Sequence, residues 1–176
     1  MASKRAMLTG VFRNRAAASR TFDWLQRRGY SAGEINILMS DATRAVLREG
    51  TSDEERFAAK SMVGEGTAAG GAIGTAIGAT LGAIVAAGAG SILVPGIGWV
   101  AGPVVMALAG GGAGAVAGGV IGALTGLGIS ESNAKAYEKA LQEGGVVLGV
   151  VSHSDKDERD IKAFFEEHGG ENVIAV

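Results

Sequence analysis

Gly66-Thr67-Ala68-Ala69-Gly70-Gly71-Ala72-Ile73-Gly74-Thr75-Ala76-Ile77-Gly78-Ala79-Thr80-Leu81-Gly82 carries glycine at every fourth position. A second ladder, Gly110, Gly114, Gly118, Gly122 and Gly126, follows it. Both lie in a run of 65 residues, 66–130, without a single Asp, Glu, Lys or Arg. On an α-helix a four-residue step keeps the glycines on one slowly drifting stripe, a groove against which another backbone can lie. The only two prolines, Pro95 and Pro103, bracket the connection between the ladders. The pattern predicts a glycine-zipper α-helical hairpin over 64–129, with arms near 66–90 and 103–127. Its turn would be built on Pro95, Gly96, Gly98, Trp99, Gly102 and Pro103.

Energetics say what such a hairpin needs. Residues 66–90 contain eight Gly and nine Ala, and at about 1 kcal/mol per Gly the helix carries a penalty of roughly 8 kcal/mol against Ala. In hydrocarbon the balance reverses, because unpaired backbone amides cost several kcal/mol there. A tight, dry protein assembly imposes the same constraint. Each 25-residue arm would reach about 38 Å at ~1.5 Å per residue, more than a hydrocarbon core of ~30 Å. Charges flank only the open end, at Arg56, Lys60, Glu65, Glu131 and Lys135. An uncharged tip carrying Trp99 suits translocation and an interface, and leaves both flanking halves on the cytoplasmic side of the membrane. The first arm, however, has only Ile73, Ile77, Leu81, Ile84 and Val85 as bulky aliphatics. The alternative is a water-soluble homo-oligomer, a shell or filament, whose hairpins form a shared core.

The chain has 176 residues and a net charge of −2, which points to no polyanionic partner and so to no nucleic acid. Charge is unevenly spread: residues 1–63 carry +4 and residues 130–176 carry −5. The two ends can pair with each other or across a dimer, or simply present two solvated faces. Cysteine is absent, which excludes disulfides, thiol nucleophiles and Cys-ligated zinc. The first residues hold no apolar core of signal-peptide length, so the cytoplasm is the default compartment.

The flanks read as strand–helix–strand twice. Residues 6–12 read as a strand. A helix over 16–28 follows, with Ala18, Phe22 and Leu25 on one face and Gly29 as its stop, and then a strand over 34–39. Beyond the hairpin, 131–143 is a polar helix capped by Ser130, with Ala134, Tyr137 and Leu141 on its apolar side. A hydrophobic strand over 146–151, a helix over 155–168 burying Ile161, Phe164 and Phe165, and a strand over 172–176 complete the chain. This is an α+β, ferredoxin-like split βαβ sheet interrupted by the hairpin. The boundaries are 1–40 for the first βαβ half and 41–63 for a charged connector, part helix over 42–49. The hairpin takes 64–129, and 130–176 holds a helix and the second half. Helices on one face would leave the other face of the sheet open for dimerisation.

Little in the sequence announces chemistry. Gly96, Gly98 and Gly102 are spaced G-x-G-x-x-x-G, and no acidic residue lies some 20 positions on, as a dinucleotide fold requires. His153 follows a strand and His168 ends a Glu-rich helix, where a cation suits the helix dipole; a shared metal is not the expectation. Asp155 to Asp160 reads as a solvated helix start, and Arg13, Arg15, Arg20, Arg27 and Arg28 as surface cations. Glu65 stands where the first arm begins and reads as its cap. No enzyme activity, cofactor, metal or small-molecule substrate is expected. A small-molecule-binding regulator using the open sheet face is a further alternative, but it needs convergent polar side chains, and 146–151 offers none.

Val94-Pro95-Gly96-Ile97-Gly98, then Ala101-Gly102-Pro103, then Gly118-Gly119-Val120-Ile121-Gly122-Ala123-Leu124-Thr125-Gly126-Leu127-Gly128-Ile129 follow in an order that is family-like. With Ala134-x-x-Tyr137, Gly144-Gly145-Val146-Val147-Leu148, the opening Val11-Phe12 and Arg28-Gly29-Tyr30, the pattern resembles the bacterial heat-induced, general stress protein 17M-like family. Trp99 departs from it, standing where a smaller residue or proline is expected. The resemblance implies a ferredoxin-like domain interrupted by a glycine-zipper hairpin, an association with stress, and no reaction. The expectation is therefore a non-enzymatic stress-associated protein that self-assembles through its glycine ladders and associates with membrane lipid.

Overall fold

A computed structural model describes residues 6–50, 81–87, 91–94, 98–102 and 119–176. In chain order these form β1 (Met7–Phe12), α1 (Arg15–Arg27), a 3-10 turn (Ala32–Glu34), β2 (Ile35–Met39) and α2 (Asp41–Glu49). Then come α3 (Leu81–Ala87), β3 (Ser91–Val94), β4 (Gly98–Ala101) and α4 (Gly119–Gly126). The C-terminal part supplies α5 (Glu131–Gln142), β5 (Val146–Val151), α6 (Asp155–Glu167) and β6 (Gly170–Ala175).

The chain is α+β. One sheet runs β3-β4-β2-β5-β1-β6, and every neighbouring pair is antiparallel. The four strands expected from the flanks lie side by side in it. Period-two alternation divides their side chains between two cores. Leu8, Phe12, Ile35, Ile37, Met39, Val146, Leu148 and Val150 face α1, α6 and α3. Val11, Leu38 and Val147 face α4 and α5.

That second core corrects one expectation. Helices cover both faces of the sheet, not one, so the face expected to be open for dimerisation is occupied by the chain's own α4 and α5. The near-continuous apolar run Val146-Val147-Leu148-Gly149-Val150-Val151 is the sequence's own statement of this, because strands buried on both faces do not alternate.

The uncharged middle departs further from expectation. Residues 91–94 and 98–101, read as the distal turn of a helical hairpin, are strands. They pair with each other, and β4 pairs with β2 in the register Ile37↔Ala101, Leu38↔Val100, Met39↔Trp99. Gly98 and Trp99 therefore sit inside the sheet and Gly102 just beyond it. The physical reason is the cluster Ile92, Leu93, Val94, Trp99 and Val100, whose branched and aromatic side chains suit a pleated surface better than a turn. Pro95, Gly96 and Pro103 lie outside the described residues.

Helix α3 buries Leu81, Ile84 and Val85 in the first core, while α4 buries Val120 and Leu124 in the second. The sheet lies between them. Gly82 of the first ladder and Gly122 of the second thus belong to opposite layers and do not pack on each other.

Candidate functional site

Of the ten ladder glycines, Gly82, Gly122 and Gly126 are described; Gly66, Gly70, Gly74, Gly78, Gly110, Gly114 and Gly118, like Glu65, lie outside the described residues. A Cβ added at Gly126 would meet no atom within 4 Å. Among the described residues that position makes no close backbone contact within its own chain.

Gly98 and Gly102 do serve close approach, with a different partner. At Gly98 (φ +103°) a Cβ would lie 2.6 Å from the Met39 carbonyl oxygen; at Gly102 (φ +93°) it would lie 2.4 Å from that of Ile35. The two glycines clamp both ends of β4 onto the backbone of β2. Their positive φ values are ones that side chains disfavour. The G-x-x-x-G spacing of Gly98 and Gly102 is therefore a strand-docking device and not a phosphate loop.

The densest polar cluster joins the two βαβ halves. Arg28, at the C-terminal cap of α1, donates from Nη2 to Asp157 Oδ1 at 2.8 Å and to Asp160 Oδ2 at 3.1 Å. The Tyr30 hydroxyl donates to Asp157 Oδ2. The His153 amide donates to the Tyr30 oxygen at 3.1 Å and to Asp157 at 3.2 Å. The His153 ring stacks on Tyr30 at 4.2 Å, and its Nε2 lies 3.4 Å from Glu34 Oε1. Glu34 in turn accepts from the amide and hydroxyl of Ser31, closing a capping box.

Helix dipoles make this arrangement favourable: a cation sits at the C-terminus of α1 and carboxylates at the N-terminus of α6. Burial pushes the Asp157 carboxyl up, but the Tyr30 hydroxyl and the Arg28 guanidinium outweigh it and hold the group below its ordinary value. Glu34 is likewise held low, chiefly by the Ser31 amide. Tyr30 is pushed up, first by burial and then by its bond to Asp157. A fully buried tyrosine with a raised pKa, donating to an ionised aspartate, is a poor nucleophile or base. The cluster joins the end of α1 and the turn before β2 to the start of α6.

Two further groupings extend that joint. Trp24 of α1 stacks on Phe164 of α6 at 3.9 Å, Phe164 stacks on His168 at 3.8 Å, and the Arg28 guanidinium lies 4.8 Å from the centroid of the Trp24 ring. Phe164, expected in the core, is half-buried in this stack. His168 shares a hydrogen bond with the Phe164 carbonyl through Nδ1 at 2.9 Å, the helix-end placement expected for it. Lying at opposite ends of α6, some 20 Å apart at ~1.5 Å per residue, His153 and His168 cannot share a metal ion. Near the other end of β1, Arg13 bridges Glu143 and Glu171. The basic and acidic ends of the chain thus pair with each other.

On the opposite face of the sheet the register aligns Thr9, Gly149 and Asn36 across β1, β5 and β2. The Tyr137 hydroxyl donates to the Asn172 carbonyl at 2.7 Å and so accepts from Thr9 at 3.0 Å. Burial pushes Tyr137 up to about 12. Above this row, Leu124, Leu127 and Ile129 close a cavity of about 10 Å³, the room of one water molecule. Sequence reading found Tyr137 as an apolar-face residue and missed its partner Thr9, which 128 positions separate from it.

Comparison with protein-family models, with curated proteins and with solved structures returned no match.

Proposed function

We propose that the protein is a non-enzymatic, stress-associated protein that self-assembles through its uncharged glycine- and alanine-rich segments, 66–80 and 103–118, and touches the cytoplasmic membrane surface with them. The flanks are read as a ferredoxin-like split βαβ domain serving as a rigid base. One observation carries this reading. The charge-free run enters the folded domain at α3, β4 and α4, on both faces of the sheet, so segment 103–118 leaves from the base after β4 and returns to it at α4, and segment 66–80 runs directly into α3.

The same observation argues against full membrane crossing. With 81–87 in the core and 98–101 in the sheet, the uncharged segments shrink to 15 and 16 residues. Even as helices these would extend only about 24 Å, short of a hydrocarbon core of ~30 Å. Among the described residues no helix is long and apolar enough to cross a membrane. Surface contact and self-contact are the readings left to these segments.

Sedimentation of the full chain in detergent-free buffer, with flotation on phosphatidylglycerol-containing vesicles, tests both parts. The expected result is a concentration-dependent oligomer that rises with the vesicles. A particle that stays behind removes the lipid contact, and a monomer at every concentration removes self-assembly.

A further inference from the structure

We propose that the outward face of α1 docks on anionic lipid headgroups through Arg15, Arg20 and Arg27. This rests on the lipid-contact part of the reading above and names both the surface and the lipid chemistry it takes.

The three arginines are exposed, and among the described residues none of them enters an ion pair. Other cations of the domain are already engaged. Arg13 and Arg28 lie on carboxylates of distant segments, and Lys135, Lys139, Lys156 and Lys162 on carboxylates one turn along their own helices. The spacing within α1 puts the unengaged ones outside. Ala18, Phe22 and Leu25 turn into the core, which leaves Ala16, Ser19, Arg20, Asp23 and Arg27 on the opposite face at steps of three and four. Ala16 and Ser19 are too short to shield a guanidinium. Asp23, the one acid of α1, is half-buried and within electrostatic reach of Arg27.

Length along the helix selects the ligand. Arg20 and Arg27 stand about 10 Å apart, and Arg15 begins about 7 Å before Arg20. A line of cations that long matches an extended array of anions, not one phosphate. A nucleic-acid duplex is one such array, but it fixes a charge every ~1.7 Å. It would press those charges on Asp23 and on the exposed Asp155 and Glu167 of α6, the helix stacked beside α1. Lipid anions are sparse and diffuse sideways, so they collect under the arginines and leave the acids alone. On its other flank α1 touches α3, which carries no charge to repel a headgroup. A bilayer is the array that this face tolerates. Each basic residue near such a surface strengthens binding about fivefold, an effect that salt removes.

Flotation of the full chain on phosphatidylcholine vesicles, with and without roughly a third phosphatidylglycerol, tests the assignment. The expected result is binding to the anionic vesicles alone, lost at about 0.5 M salt. Arg20→Gln with Arg27→Gln should weaken it about 10- to 30-fold, whereas Arg20→Lys with Arg27→Lys should keep it. Lys135→Gln with Lys139→Gln removes the same charge from α5, on the opposite face of the sheet, and should leave binding nearly unchanged. The inference is overturned if the glutamine pair on α1 floats like the parent chain, or if the pair on α5 weakens binding equally. Equal flotation on both vesicles, indifferent to salt, leaves the contact of the uncharged segments standing and removes α1 from it. No flotation on either vesicle ends the lipid reading itself. Capture of a single-stranded oligonucleotide without flotation, abolished by the glutamine pair on α1, would assign this face to nucleic acid instead.

Discussion

Replacing Gly102 by alanine would drive a methyl group to within 2.4 Å of the Ile35 carbonyl oxygen and 2.9 Å of Asn36 Cα, at a φ of +93°. Neither neighbour is a side chain that can swing away. We expect Gly102→Ala to lose about 3 kcal/mol or more in denaturant unfolding, and Gly98→Ala a comparable amount. Gly126→Ala should do the reverse. With open space around it and no positive φ, it should gain a few tenths to about 1 kcal/mol from helix propensity. Equal effects at Gly126 and Gly102 would refute the distinction between docking glycines and ladder glycines. The sequence marks Gly126 for backbone approach and Gly98 and Gly102 for a turn, whereas it is Gly98 and Gly102 that approach a backbone, that of β2. Spacing in one segment holds no information about a strand some sixty residues earlier.

At the scale of elements, the joint between α1 and α6 governs how stability responds to pH. Asp157 and Glu34 lie below their ordinary values of 3.8 and 4.5, so their contribution is full above that range and is lost as pH falls through the lowered folded values. Asp157→Asn should flatten the acid limb of a stability-versus-pH curve; an unchanged limb would remove the cluster from the account. Tyr30→Phe, which deletes one donor to Asp157, should cost about 1–3 kcal/mol by denaturant unfolding, and a cost near zero would count against the joint. Tyr30 and Tyr137, the only tyrosines, are both raised above the ordinary 10.0. Their neutral forms favour the fold, so stability declines as pH rises beyond about 10, and phenolate absorbance should appear only with unfolding. Normal titration of both rings in the folded protein would contradict their burial. The elements themselves were largely legible: α1, β2, α5, β5 and α6 lie within a residue or two of the periodicities that announce them. Ser130 was recognised as a cap, whereas Asn14, Ser40 and Ser154 cap α1, α2 and α6 unannounced. The joint was invisible because Tyr30 and Asp157 meet only after the sheet has brought two distant segments together.

Across the whole molecule, the uncharged run is not an insertion standing apart from the domain. It supplies α3 and α4 to opposite layers and two strands to the sheet. A four-residue glycine period strongly resembles a zipper, and it conceals that Ile92, Leu93, Val94, Trp99 and Val100 favour strands. Burial of Leu81, Ile84, Val85 and Val100 offsets part of the glycine cost at roughly 1.5–3 kcal/mol per aliphatic side chain, which glycine counting alone omits. The direct test of this picture is amide hydrogen exchange read by mass spectrometry, on the full chain in detergent-free buffer. Peptides covering 81–87 and 98–101 should be protected alongside β2 and β5. Rapid exchange in those peptides, with β2 and β5 still protected, would contradict it.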